Sequence, residues 1–165
     1  MIKTDFNTYL KDKDFKAYKE RIKKIKNDLN NGGEMLDWYD IDKCISLDEL
    51  NKIKDISKKI RKNCELFIVI GIGGSFLGAK AVITALEPYF EKNKPEIVFA
   101  GNSLSESYLT ELLAYMENKD TIVNVISKSG TTLEPSIAFD IIYEKMQQKY
   151  NNDELKKRII ITTDP

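Results

Sequence analysis

The sequence predicts an α/β fold in which a parallel sheet is flanked by helices, preceded by a two-helix N-terminal extension. From residue 65 onward, short runs of apolar and β-branched residues recur at intervals of about 30 residues. Helical patterns separate these runs, as strand–helix–strand units require. Before residue 63 the apolar residues follow helical spacing instead. We therefore divide the chain into an extension, residues 1–62, and an α/β domain, residues 63–165.

The first predicted helix lies in a Lys-rich segment and places apolar residues on one face: Phe15, Tyr18, Ile22, Ile25 and Leu29. Asp12 or Asp14 can cap its start, and Asn31-Gly32-Gly33 ends it. Its lysines fit a solvated helix face better than a nucleic-acid patch. Acidic residues are interleaved with them, and no aromatic platform lies among them.

A loop and a second helix complete the extension. The loop, Glu34–Ile45, contains Leu36, Trp38, Tyr39 and Ile41, so we expect it to pack down. Ser46-Leu47-Asp48-Glu49 reads as a capping box that starts the helix. The spacing of four apolar residues predicts its buried face: Leu50, Ile53, Ile56 and Ile60.

Four apolar runs predict the strands of the α/β domain: Leu66–Ile70, Ile97–Ala100, Thr121–Ile126 and Ile159–Thr162. The first run has no polar residue, which is typical of a strand buried on both faces. Helical patterns separate the runs at Leu77–Leu86, Ser107–Met116 and Ile137–Tyr150.

The composition excludes several classes of protein. Hydrophobic residues make up 42% of the chain, enough to exclude a disordered or low-complexity protein. Basic and acidic residues number 26 each, and a net charge of zero argues against nucleic-acid partners and acidic membranes. Histidine is absent, so no imidazole can act as base, acid or metal ligand. We expect no metal and no cofactor.

Two cysteines, Cys44 and Cys64, are too few for a disulfide scaffold, although they could form one bridge. No secretory signal precedes them, which favours free thiols. No stretch approaches the roughly 18 consecutive apolar residues that a membrane span needs. We expect a cytoplasmic protein.

A glycine-rich loop, Gly71–Gly78, follows the first predicted strand. Glycines let a backbone approach a ligand closely, and the amides that open the next helix attract anions. The dinucleotide fingerprint fails, since Phe76 stands where its third glycine belongs and no acidic residue ends the second strand. A Walker A motif is absent as well. A tight turn that needs glycine for packing alone explains this loop equally well.

A second loop, after the third predicted strand, carries four hydroxyls and one ammonium within six residues: Ser127, Lys128, Ser129, Thr131 and Thr132. Pro135 marks the start of the next helix. Hydroxyl donors, a helix N-terminus and a cation together suit a phosphate group. A cluster of capping residues is the alternative, but one cap needs only one hydroxyl.

The two loops should face each other. In a flavodoxin-like strand order, 2-1-3-4-5, the first and third strands are neighbours at the topological switch point. Their loops would then border one crevice, where one could hold a phosphate and the other a polyhydroxylated body. This pairing suggests a sugar phosphate. Glu134 is either a first-turn acid favoured by the helix dipole or a group that orients a hydroxyl.

Three stretches resemble the glucose-6-phosphate isomerase family, in its bacterial branch. Val69–Gly78 and Ser127–Glu134 resemble its two N-terminal substrate loops, and Gly33–Asp40 resembles the segment before its first sheet strand. The resemblance implies the sugar isomerase (SIS) fold, a three-layer αβα arrangement with a five-stranded sheet. By this resemblance the chain stops before the fifth strand.

The resemblance also implies roles for site residues. Those that would hold the sugar phosphate are Ser127, Lys128, Ser129 and Thr132, with Thr131 in the same loop. Gly74 and Ser75 would contact the sugar, and Glu134 would lie at the edge of the site. The substrates would be glucose 6-phosphate and fructose 6-phosphate, on the route of glycolysis and gluconeogenesis, and the full-length enzyme would be a homodimer.

Family members are much longer than this chain and contain two SIS domains. Their mechanism opens the sugar ring and moves a proton between C2 and C1 through a cis-enediol. Their base, arginine, ring-opening histidine and C-terminal lysine lie beyond the stretch matched here, so we expect no catalytic residue in this chain and no activity from it alone. A non-catalytic sugar-phosphate-sensing SIS module is the alternative, and a nucleotide-binding Rossmann domain is a weaker one.

Overall fold

The computed structural model describes residues 12–32, 36, 38, 44–90 and 95–163. In these residues six helices and four strands follow one another: α1 (Asp12–Asn30), α2 (Leu47–Asn63), β1 (Leu66–Ile70), α3 (Gly74–Leu86), β2 (Glu96–Ala100), α4 (Glu106–Met116), β3 (Thr121–Ile126), α5 (Leu133–Lys149), α6 (Asn152–Arg158) and β4 (Ile159–Thr162). From β1 onward each strand is separated from the next by one helix, or by two between β3 and β4. The alternation confirms the predicted α/β fold.

The four strands form one parallel sheet in the order β2-β1-β3-β4. Ile70, the last residue of β1, lies opposite Ala100 in β2 and Val125 in β3. The first and third strands are therefore neighbours, as the sequence predicted. Their carboxyl ends reach the same edge of the sheet, which brings the loops that follow them side by side.

One face of the sheet carries the hydrophobic core. Leu66, Ile68 and Ile70 of β1 are fully buried on this face, because α4 and α5 cover it. Ala138 and Ile142 of α5 are fully buried in the same cluster. Branched side chains at alternate strand positions give this face its continuous apolar surface. This packing fixes α5, whose N-terminus follows the hydroxyl-rich loop.

The opposite face is covered less completely. Phe76 of α3 is buried there and packs against Phe99 of β2, with ring centroids 5.9 Å apart. Phe67 and Asn124 on this face are half-buried, and Ile97 is exposed. The prediction that β1 is buried on both faces is confirmed at Val69 but not fully at Phe67.

The chain divides into two compact units, Met1–Ile53 and Lys54–Pro165. The expected division of the chain between residues 62 and 63 stays a prediction. The predicted buried face of α2 is wrong, since Leu50 is 38%, Ile53 51% and Ile56 43% exposed and no residue of α2 is buried. Helical spacing shows that a face is apolar, not that another element covers it.

The predicted start of α2 is confirmed in detail. The Ser46 amide donates to Glu49 Oε2 at 2.9 Å, and the Glu49 amide donates to Ser46 Oγ at 3.2 Å. The Ser46 hydroxyl also donates to Glu49 Oε2, at 2.7 Å, and this bond, followed by that from the Ser46 amide, holds the pKa of Glu49 below its usual value. The reciprocal bonds satisfy two amides that the helix itself leaves unpaired.

The loop before α2 departs from expectation where the structure describes it. Trp38 is 66% exposed, so the prediction that this segment packs down is wrong at that residue. Tyr39, Ile41 and the side chains of Asp12, Asp14 and Phe15 lie outside the described residues. Gly32, with φ +71°, follows the C-terminus of α1, as the predicted helix end requires.

Two helices begin earlier than their apolar patterns suggested. α3 starts at Gly74 rather than Leu77, and α5 starts at Leu133, so that Pro135 is its third residue rather than its first. Apolar periodicity marks only the turns that face the core, and the first turns of both helices lie at the edge of the sheet. Helix α6, whose capping box joins Asn151 and Glu154, was not predicted.

Cys44 is exposed and Cys64 is buried, and both are free thiols. Burial raises the pKa of the Cys64 thiol, and its Sγ donates to the carbonyl oxygen of Leu66 at 3.0 Å. In the part of the chain that the structure describes, no helix has the length and apolar character to cross a membrane.

Candidate functional site

The loop after β1 approaches its neighbours so closely that a side chain at Gly71 would be crowded. A Cβ atom there would lie 3.0 Å from Ser75 Cβ and 3.4 Å from the carbonyl oxygen of Ile126. The Gly71 amide donates to the carbonyl oxygen of Ala100 at 3.1 Å. Glycine at this position therefore lets the loop lie directly against the end of β3.

The same loop delivers the N-terminus of α3 to the edge of the sheet. Gly73 precedes the helix with φ +58°, in the left-handed region that glycine adopts without strain. No side chain caps the helix at this position. Gly74 is exposed and Ser75 is half-buried. The first amides of a helix have no partner within it, so this end can donate hydrogen bonds to a bound group.

The loop after β3 is folded by its own hydroxyls. The Gly130 amide donates to Ser127 Oγ at 3.0 Å, and the Thr131 amide donates to Ser129 Oγ at 3.3 Å. The hydroxyls of Ser129 and Thr131 lie 2.8 Å apart. Gly130 has φ +68°, which closes the turn. A hydroxyl that accepts an amide hydrogen bond keeps its own proton for another acceptor, so the folded loop retains donors.

Thr132 immediately precedes α5 at the capping position, yet its side chain does not cap the helix. Its hydroxyl is therefore not used in the way that the capping alternative required. Glu134, in the first turn, is half-buried, and Lys128, in the preceding loop, is exposed. The helix end and the ammonium are positive, and Glu134 adds a negative charge beside them.

The helices that follow β1 and β3 differ at their N-termini from three other helices of the described chain. Side chains cap those three: Ser46 caps α2, Ser105 Oγ accepts from the Tyr108 amide at the start of α4, and Asn151 Oδ1 accepts from two amides of α6. By contrast, α3 and α5 have no side-chain cap. Of the three helices that start at the carboxyl edge, only α4, after β2, is therefore capped by a side chain. The two uncapped N-termini follow neighbouring strands, so their amide donors lie at adjacent strand ends.

A third loop joins this edge, and sequence reasoning missed it. Gly101, directly after β2, has φ +77°, and a Cβ atom there would lie 3.1 Å from Pro135 Cα and 3.0 Å from Ile70 Cγ2. The glycine thus lets the end of β2 contact the first turn of α5. The sequence offered one signal of this close approach, a single glycine directly after an apolar run.

The structure thus brings together the two groups of residues that the sequence selected. Gly74 and Ser75 lie at the end of β1, and Ser127–Thr132 with Glu134 lie at the end of the adjacent β3. Among the residues described, no cluster of His, Cys, Asp or Glu could hold a metal ion. The chemistry available at this edge is hydrogen-bond donation and positive charge, which suits an oxygen-rich anion.

A family model described as phosphoglucose isomerase matches residues 46–165. A glucose-6-phosphate isomerase of Staphylococcus epidermidis is 50% identical over 135 residues, covering 81% of this chain and 30% of the relative. That of Clostridium tetani is 42% identical over 167 residues, covering 94% of this chain and 37% of the relative. The chain spans about a third of the length of the curated relatives it matches.

Solved structures show the same fold. A glucose-6-phosphate isomerase from Chlamydia trachomatis aligns with a TM-score of 0.57 at 26% identity, over 70% of this chain and 22% of that one. A hypothetical protein from Thermus thermophilus aligns with a TM-score of 0.59 at 24% identity, over 72% of this chain and 28% of that one. At 24% identity, the similarity to the Thermus thermophilus protein is evidence for the fold alone.

Proposed function

The chain belongs to the phosphoglucose isomerase family, and on this premise we propose that it is the N-terminal part of a glucose-6-phosphate isomerase. In this proposal the whole enzyme interconverts glucose 6-phosphate and fructose 6-phosphate in the cytoplasm, as a homodimer. The part described here supplies the phosphate-binding loop and one side of the sugar pocket.

One observation carries the assignment of the phosphate loop. The helices that follow the adjacent strands β1 and β3, α3 and α5, lack side-chain caps, while α2, α4 and α6 have them. The phosphate would accept hydrogen bonds from the first amides of α5 and from the Thr132 hydroxyl. Ser127, Ser129 and Thr131 would add hydroxyl donors, and Lys128 would add positive charge. Bonds from charged or dipolar donors to a phosphate are stronger than bonds between neutral groups.

The loop after β1 would bind the sugar. The amide of Gly74 and the hydroxyl of Ser75 would face the phosphate loop across the site, because β1 and β3 are adjacent. A hexose phosphate presents its hydroxyls several ångströms from its phosphate, so two donor groups on neighbouring loops match its form. Glu134 would accept a hydrogen bond from a sugar hydroxyl at the edge of the site.

The isomerisation itself needs more than this edge offers. Proton transfer between C1 and C2 requires a carboxylate positioned within hydrogen-bond reach of the carbon-bound proton. Glu134 lies in the first turn of α5, on the phosphate side, so we assign it to orientation and not to the base. We therefore expect the 165-residue chain to bind substrate without converting it.

An NMR titration of the isotope-labelled chain tests the proposal. Glucose 6-phosphate and inorganic phosphate should both shift the amide signals of residues 128–134, whereas only glucose 6-phosphate should also shift those of Gly74 and Ser75. Glucose is the matched control without phosphate and should shift neither set at the same concentration. A lack of response to all three compounds would overturn the proposed site. Turnover of fructose 6-phosphate in a coupled assay would contradict the expected inactivity.

A further inference from the structure

The end of β4 contacts the hydroxyl-rich loop, and we propose that Thr162 and Thr163 are positioning residues for phosphate binding. Together with Asn124 they form what we call the β4 clamp. This inference rests on the proposed function, since it assigns to the phosphate loop a support that the loop's own sequence does not contain. The support comes from a strand about 35 residues further along the chain, as Thr163 is 35 positions beyond Lys128.

Two hydrogen bonds join the β4 clamp to the start of the loop. The Ser127 amide donates to the carbonyl oxygen of Thr162 at 3.1 Å. The Thr163 hydroxyl donates to the carbonyl oxygen of Lys128 at 3.5 Å. The first bond continues the ladder between β3 and β4 by one residue, and the second reaches beyond it. The two residues that begin the loop are thus held by the last residue of β4 and by the residue that follows it.

A polar pair within the sheet fixes the clamp itself. The Thr162 hydroxyl donates to Asn124 Oδ1 at 3.0 Å, across β3 and β4. Asn124 interrupts a strand that is otherwise apolar after its first residue, and it is half-buried. A polar side chain in such a place needs a hydrogen-bond partner, and Thr162 provides one. The pair ties the end of β4 to β3 three residues before the loop begins.

The geometry of the peptide group carries this restraint into the loop. A peptide unit is planar and trans, so its carbonyl and its N–H point in opposite directions. The Thr163 hydroxyl holds the Lys128 carbonyl on the β4 side, which turns the Ser129 amide away from β4. The bond from the Gly130 amide to Ser127 Oγ then closes the turn on a residue that β4 has already fixed.

Removing a hydroxyl from the β4 clamp should lower the affinity for phosphate more than it lowers the stability of the fold. Thr162 and Thr163 are exposed at the end of an edge strand, so removing one hydroxyl there leaves the core intact. The loop donors, however, must converge on one phosphate, and binding weakens steeply when such groups are misplaced by as little as about 1 Å. Loss of the Thr163 bond should weaken binding roughly three- to tenfold, the equivalent of one hydrogen bond.

The test compares Thr163→Val, which keeps the shape and removes the donor, with Thr163→Ser, which keeps the donor. Thr110→Val, at an exposed position on α4, is the matched control. In the free protein we expect Thr163→Val to speed hydrogen exchange at the amides of Ser129, Gly130 and Thr131, with an unchanged melting temperature. Its affinity for glucose 6-phosphate and inorganic phosphate should fall, and Thr163→Ser should restore both properties. Thr162→Val should act in the same direction.

Failure of the clamp and failure of the proposed function give different results. Unchanged exchange in Thr163→Val would overturn the clamp whatever the ligand does. Faster exchange with unchanged affinity would overturn the claim that the clamp positions the loop for phosphate. If the wild-type chain bound neither compound, the proposed function would fall, while the exchange measurement would still decide whether β4 holds the loop.

Discussion

The two ends of the sheet use polar groups in opposite ways. At the amino end, polar side chains bond to one another and to the backbone. Tyr150 is an example: its hydroxyl accepts from the Thr121 amide at 3.0 Å, and the Arg158 guanidinium stacks on its ring at 4.1 Å. Arg158 also donates to Asp120 Oδ1 at 3.4 Å. This network joins the end of α5, the end of α6 and the start of β3.

A second network lies at the same end, around Glu96 at the start of β2. The Tyr115 hydroxyl donates to Glu96 Oε2 at 2.5 Å, and the Lys119 ammonium donates to the same oxygen at 3.0 Å. Lys119 also hydrogen-bonds the Tyr115 hydroxyl, and this bond is the main reason that the pKa of Lys119 is raised. The polar side chains at the amino end are therefore hydrogen-bonded to one another.

At the carboxyl ends of β1 and β3, the N-termini of α3 and α5 lack side-chain caps, and the hydroxyls of the loop after β3 are exposed or half-buried. Polar groups that satisfy one another contribute to stability, whereas donors turned toward solvent are available to a ligand. Substitutions at the amino end should change the free energy of unfolding, and hydroxyl substitutions in the loop at the carboxyl end should change ligand affinity.

The largest expected effect follows from Tyr150→Ala at the amino end. Tyr150 is buried, and its removal leaves a cavity and an unpaired buried amide at Thr121. The free energy of unfolding should fall by about 3–5 kcal/mol, as for other buried aromatic residues. Urea denaturation followed by circular dichroism measures this loss. Tyr150→Phe, which removes only the hydroxyl, should cost about 1–3 kcal/mol. Equal stability of Tyr150→Phe and wild type would show that the network contributes nothing.

Gly101→Ala tests a structural position at the carboxyl end. The new methyl group would lie 3.1 Å from Pro135 Cα, on a backbone with φ +77°. Left-handed strain and overpacking together should cost about 2–4 kcal/mol. Gly130→Ala is the matched control, because its φ is +68° but a Cβ atom there meets nothing within 4 Å. It should cost only about 1–2 kcal/mol. Equal losses in thermal melts would refute the claim that Gly101 is needed for packing.

A pair of hydroxyl substitutions compares a capping with a non-capping hydroxyl, both at the carboxyl end of the sheet. Ser105→Ala removes a side-chain cap from α4 and should cost about 1 kcal/mol of stability. Thr132→Ala removes a hydroxyl that does not cap α5, so the free energy of unfolding should change by less than about 0.5 kcal/mol. Affinity for glucose 6-phosphate should fall roughly tenfold in Thr132→Ala, and likewise in Ser129→Ala, by loss of a bond to a charged group. Calorimetric titration measures it. A stability loss in Thr132→Ala with unchanged affinity would reverse the comparison.

The four strands, their order and the pairing of the two loops were predictable from sequence, because buried parallel strands leave uninterrupted apolar runs such as Leu66–Ile70. The exposure of Ile53 and Trp38 was not predictable, because the local spacing of apolar residues does not show whether another element covers them. Within the site, the loop residues were found by their composition. Thr162 and Gly101 were missed because their roles depend on contacts with residues distant in sequence.

The smallest expected effect is the pH dependence of the stability that Lys119 contributes. Because the pKa of Lys119 is higher in the folded than in the unfolded state, its stabilising contribution is complete below the unfolded value. The contribution is lost as pH rises from about 10.5 through the folded pKa. Lys119→Met should lower stability near pH 7 by about 0.2–1 kcal/mol, the range for partly exposed ion pairs. The difference between variant and wild type, measured by urea denaturation, should shrink above pH 10.5. A difference that stays constant between pH 8 and 11 would show that packing of the Lys119 stem, rather than its charge, supports the amino end.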